Sequence, residues 1–129
     1  EDASDALSAL RRAFVIALYH HWERWMRRQF KTDKGNHDDL VRLAQRHGLP
    51  VHPGLAGVRD VANLFKHSSR KRGLDVLKSW PDLLPLHVTP DTEADWYEMV
   101  RLSDSLILEV AEIVKQSGPH VDKAYEKPA

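Results

Sequence analysis

Residues that grip anions or move protons recur at helical spacing in the segment "RDVANLFKHSSRKRG", residues 59–73. At about 100° per residue, Arg59, Asn63, Lys66, His67 and Arg70 gather on one side of a helix. Val58, Val61, Ala62 and Phe65 take the other. Asn63 and His67 stand four apart and stack, Arg59 lies one turn earlier, and the positive run continues into Lys71 and Arg72 as the helix ends. Arginine forks chelate phosphate oxygens, and an imidazole with a pKa near neutrality exchanges a proton with a ribose hydroxyl. On most helices such a face is solvated surface. Here the alignment of an asparagine and a histidine with clustered cations favours a phosphate or carboxylate site, with His67 as its candidate catalytic group.

A second cluster is "YHHWERWMRR", Tyr19 to Arg28. His21 falls within an apolar stripe and is expected to be partly buried and bonded to a neighbouring helix. His20 shares its side with Arg24 and Arg27 and has Glu23 at i+3, close enough to hold the imidazole. As structure this is a polar surface or interhelical network, the reading favoured; as function it is a basic, titratable corner, and His20, Glu23 and Arg24 join the candidate site if the first and third helices adjoin. The eight histidines do not form a metal motif: there is no His-Glu-x-x-His, and a proline-containing loop separates His47 from His52. No metal and no cofactor is expected.

These residues must be positioned by helices. The first runs from about Ser4 to Lys31, with one stripe of Leu7, Leu10, Phe14, Leu18, His21 and Trp25, and a flanking stripe of Val15, Tyr19, Trp22, Met26 and Phe30. Alanines line much of the remaining side of its N-terminal half. A shorter helix is expected over Asp38–His47, stopped by Gly48 and Pro50, a third over Leu55–Ser68, and a short fourth over Arg72–Trp80. Three prolines in "PDLLPLHVTPDT" forbid a continuous helix there. A last long helix is expected from about Thr92 to Ser117, with the seam Trp96, Val100, Ser103, Ile107, Val110 and Val114. No convincing strand is present. The expectation is one all-α domain over residues 1–129, a bundle of about four helices with the first and last the longest, and a flexible tail over 118–129 too poor in apolar residues to fold alone. Its expected core is Leu10, Phe14, Leu18, Trp25, Val61, Phe65, Val100, Ile107 and Val110.

Composition narrows the partners. With 19 basic and 19 acidic side chains the formal charge is zero, so any polyanion must meet a local patch. The absence of cysteine removes disulfides and thiolate chemistry and fits a reducing cytoplasm. The longest apolar run, "AFVIALY", is too short to cross a bilayer, so no membrane association is expected. An N-terminal helix apolar around much of its circumference points to self-association as a homodimer.

The motifs "YHHWE" at Tyr19–Glu23 and "RDVANLFKHSS" at Arg59–Ser69 resemble those of uncharacterised bacterial proteins in which a Tyr-His-x-Trp-Glu helix precedes an Asn-x-x-Lys-His helix. Through them the chain is similar to the HEPN superfamily (higher eukaryotes and prokaryotes nucleotide-binding). The likeness spans roughly residues 7–85. It implies a small helical bundle, often paired as a dimer, in a bacterial defence, phage-defence or toxin–antitoxin setting. For the catalytic branch it implies a metal-independent ribonuclease in which a histidine deprotonates a 2′-hydroxyl and an arginine stabilises the phosphorane. That branch places four to six residues between arginine and histidine, whereas seven separate Arg59 from His67. A literal match, "RLAQRH" at Arg42–His47, is a loose pattern that arises readily by chance in an arginine-rich chain. The resemblance therefore points to a non-catalytic or weakly active module binding RNA or a nucleotide through Arg59, Asn63, Lys66, Arg70, His20, Glu23 and Arg24. Two alternatives stand beside it: a protein-interaction module without nucleic-acid binding, and an active ribonuclease using His67.

Overall fold

The computed structural model describes residues 3–118. Within them the chain forms six α-helices and one 3-10 turn: α1 (Ala3–Gln29), α2 (His37–Arg46), α3 (Leu55–His67), α4 (Arg70–Ser79), the turn Pro81–Leu83, α5 (Trp96–Met99) and α6 (Asp104–Ser117). The class is all-α, and the last of the five expected helical segments appears as two shorter helices. α3 is the central element, packed against α1, α4, α5 and α6. The segment after Gly118, expected as a tail, lies outside the described residues.

α1 is long because its alanines and straight-chain residues favour helix, with Asp5 near its N-terminus and Arg27 and Arg28 near its C-terminus complementing the helix dipole. Lys31 takes a left-handed conformation (φ 53°) and ends the run. α2 opens with a capping box: Asn36 accepts from the Asp39 amide while the Asp39 carboxylate accepts from the Asn36 amide. Ser68 closes α3 in the left-handed region (φ 45°), and Ser69 at once caps α4 by accepting from the Arg72 amide. Two adjacent serines thus turn the chain so that α4 packs back on α3.

The core corrects the choice of stripe on α1. Val15, Tyr19, Trp22 and Met26 are buried, whereas Leu10 is 54% and Phe14 50% exposed, and Leu18 and Trp25 are only partly covered. Both stripes have helical spacing, and periodicity alone does not say which one meets α3. His21, expected to be partly buried, is exposed. Val61, Phe65, Val100 and Val110 are buried as expected, and Ile107 is partly buried. The indole Nε1 of Trp22 donates to the Ser117 carbonyl (3.0 Å), fastening the middle of α1 to the end of α6.

The expected final helix is broken in two. Asp95 caps the short α5, residues 100–103 leave the helix, and Ser103 then starts α6 by accepting from the Leu106 amide. In the gap the Arg101 amide donates to the Leu83 carbonyl (2.8 Å), tying this connection to the turn after α4. Ser103 is therefore a cap and not part of a core seam. No described helix is long and apolar enough to cross a membrane.

Candidate functional site

α3 sends Arg59, Asn63 and Lys66, one helical turn apart, into a groove of about 810 Å³ bounded by α1, the start of α2 and α4. α4 contributes Lys71, Arg72, Asp75 and Lys78, again at helical spacing. The serine corner between α3 and α4 is what folds this second row of charges over the first. Tyr19 and Glu23 from α1, and Asn36, His37 and Asp38 from the α2 terminus, close the opposite side.

That opposite side is a hydrogen-bonded wall. The Tyr19 hydroxyl and His37 Nδ1 are 2.7 Å apart and buried, and the imidazole packs against the rings of Tyr19 and Trp22. Burial, with the Glu23 carboxylate next, raises the Tyr19 phenol well above its ordinary range, so it remains a hydroxyl. Burial and then the Arg59 guanidinium hold His37 below its ordinary value, so it is a neutral imidazole near pH 7. Arg59 Nε bonds the buried Asp60 carboxylate (3.0 Å), and its Nη1 lies 3.8 Å from Asp38.

Beside the groove runs a polar chain. Lys66 Nζ lies 3.2 Å from His20 Nε2, and His20 Nδ1 lies 2.7 Å from Glu23. Because an ammonium only donates, Nε2 accepts from Lys66 and Nδ1 carries the proton given to Glu23. Arg27 continues the chain from Glu23 (3.7 Å) to the Gly35 carbonyl (2.9 Å), which anchors the loop before α2.

The structure thus brings together Arg59, Asn63, Lys66, His20 and Glu23, and separates the other three expected residues from them. His67 is exposed at the last position of α3, outside the groove lining, with no side-chain hydrogen bond among the described residues. Arg70 turns instead to the loop carbonyls of Thr92 (3.1 Å) and Pro90. Arg24 lies in a separate surface hollow with Arg28 and Lys31. Conversely, His37 and Lys78 line the groove without having been singled out by sequence reasoning. For His37 the usable signal was "NHDD": an Asn-x-x-Asp capping pair places the histidine on the first turn of a helix.

No protein-family model, curated protein or solved structure matches the chain.

Proposed function

We propose that the protein is a HEPN-like module that binds RNA or a nucleotide in the groove between α1, α2, α3 and α4, without appreciable ribonuclease activity. The observation that carries this reading is the α4 side of the groove, which Lys71, Arg72 and Lys78 line with one carboxylate, Asp75. Even the nearest pairing there, Arg72 to Asp75, is loose at 3.9 Å, and neither lysine has an ion pair among the described residues. Cations left available in a polar hollow of this size suit phosphate oxygens. The motif likeness at Tyr19–Glu23 and Arg59–Ser69 supports the same reading and suggests a bacterial defence or toxin–antitoxin setting. The non-catalytic half follows from His67, which stands outside the groove and apart from Arg59. The test is fluorescence anisotropy with a labelled single-stranded RNA. Affinity should fall on the order of tenfold between 50 and 200 mM salt if about three phosphates are neutralised. Lys71→Glu/Arg72→Glu should abolish binding, and RNA incubated with the protein and a chelator should stay intact. A flat salt response, or binding that survives the double charge reversal, would remove the proposal. Cleavage lost in His67→Ala would replace it with the ribonuclease reading.

A specific observation also favours a protein partner, best read as a second copy. Leu7, Leu10, Phe14 and Leu108 are exposed on the α1–α6 side around an apolar hollow of about 250 Å³. Apolar strips of this kind mark association faces. Sedimentation at high micromolar concentration should report a dimer, and a monomer there would dispose of this reading.

A further inference from the structure

The two sides of the groove differ in kind, and the difference selects a ligand. On α4 the lining is cationic, with Lys71, Arg72 and Lys78 outnumbering Asp75. Across from it, Glu23, His37 and Asp38 supply carboxylates and an imidazole. Arg59, the cation nearest that wall, is bonded to Asp60 and drawn toward Asp38. A second phosphate placed there would meet carboxylates first.

His37 fixes what this wall offers. Its Nδ1 is the one partner of the Tyr19 hydroxyl among the described residues, and a neutral imidazole that accepts the phenolic proton at Nδ1 carries its own proton on Nε2. His37 lines the groove, and its Nε2 has no hydrogen-bond partner among the described residues, which leaves it available to a ligand there. Asn63, one turn from Arg59, adds an amide with no hydrogen bond among the described residues. The wall therefore presents a neutral donor, an amide that both donates and accepts, and carboxylate acceptors. Those are the complements of ribose hydroxyls and base edges, not of phosphates.

We infer that the groove binds an unpaired nucleotide crosswise, its phosphate against Lys71 and Arg72 of α4 and its sugar and base edge against His37, Asn63 and Asp38. This deepens the RNA- or nucleotide-binding reading and rests on it. A ligand that is charge throughout satisfies one wall and is repelled by the other, and a paired base has its hydrogen-bonding edge already occupied. The ligand class is single-stranded RNA or a free nucleotide, to the exclusion of generic polyanions.

Calorimetry with two probes of similar charge tests this: a single-stranded RNA tetranucleotide and inorganic tripolyphosphate. The tetranucleotide should bind at least tenfold more tightly. Asn63→Ala should weaken the tetranucleotide several-fold and leave tripolyphosphate unchanged, whereas Lys71→Glu/Arg72→Glu should weaken both. His37→Phe keeps an aromatic ring and should act like Asn63→Ala. Because it also strands the Tyr19 hydroxyl, the Asn63 variant decides the matter if His37→Phe unfolds. Nitrogen-15 spectra of the free protein should show His37 protonated at Nε2, with that resonance moved by the tetranucleotide and not by tripolyphosphate. Equal affinity for the two probes, or equal losses for both in Asn63→Ala, would overturn the two-wall inference and leave simple electrostatic binding. If neither probe binds, the proposed function fails and this inference fails with it.

Discussion

Gly73→Ala sets two effects of known size against each other on the helix that carries the cationic wall. Alanine is the better helix former by about 1 kcal/mol, so on an open α4 the substitution would stabilise. Gly73 is not open. A methyl built there lies 2.5 Å from both Cγ and Cδ2 of Trp96 and 2.6 Å from its Cβ. Ordinary carbon contacts are about 3.5–4.0 Å, so the tryptophan has to retreat by roughly 1 Å. No rotamer relieves a clash that includes Cβ, and Trp96 is 3% exposed, so α4 itself is pushed off α5. Overpacking typically costs about 1–3 kcal/mol, and a clash this deep that includes a Cβ lies at the upper end, about 2–3 kcal/mol, above the propensity gain. A net loss of about 1–2 kcal/mol and a fall of several degrees in Tm are expected. Gly57→Ala is the internal control. Its methyl would sit 3.2 Å from Trp80 Cε3 on a half-buried ring that can yield, so it should be neutral or stabilising by up to about 1 kcal/mol. Urea and thermal unfolding of both variants measure this directly. A Gly73→Ala protein as stable as wild type would mean that α4 does not rest on Trp96, and would release the positions assigned here to Lys71 and Arg72.

Phe65→Ala should cost about 3–5 kcal/mol in urea unfolding, since the ring is 7% exposed and packs edge-on against Tyr97. Leu10→Ser/Phe14→Ser should leave unfolding within about 1 kcal/mol of wild type, both side chains being half exposed, while sedimentation shows any dimer dissociating. His37 makes stability depend on pH with a defined sign. Its folded pKa lies below the ordinary value, so the unfolded chain binds more protons as pH falls through about 6.5. The contribution is present above that pH and is lost progressively as pH drops toward the folded value. The urea midpoint should therefore decline between about pH 7 and 5.5 more steeply in wild type than in His37→Gln, and parallel profiles would show His37 titrating normally.

The sequence made α2, α3 and α4 legible because their ends are written in local chemistry: Gly48 and Pro50 after α2, and the change to serines and cations at residues 68–72. It did not say which stripe of α1 faces inward, because Leu10 and Phe14 have the same period as Val15 and Tyr19. What distinguishes them is the placement of α3, a tertiary fact. The break before α6 was hidden for a similar reason. Trp96, Val100, Val110 and Val114 are all buried, so their spacing suggested a seam across four residues that are not helical. In the site, the row Arg59, Asn63, Lys66 was readable from one helix. Whether the histidine of the groove would be His67, on that same helix, or His37, from α2 across it, depends on which flank α4 and α2 cover. A helical period assigns residues to a side of their own helix and says nothing of what stands opposite.

The most direct test of the groove as a single-stranded RNA or nucleotide site is residue-resolved amide chemical-shift mapping during titration with a single-stranded RNA tetranucleotide at low salt. Shifts should concentrate at His37, Asn63, Lys66, Lys71 and Arg72, and leave Leu10, Phe14 and Leu108 on the apolar face and Arg24 in its separate hollow unmoved. Shifts confined to the apolar face, to His67, or to the Arg24–Lys31 hollow, with the groove residues silent, would contradict the account.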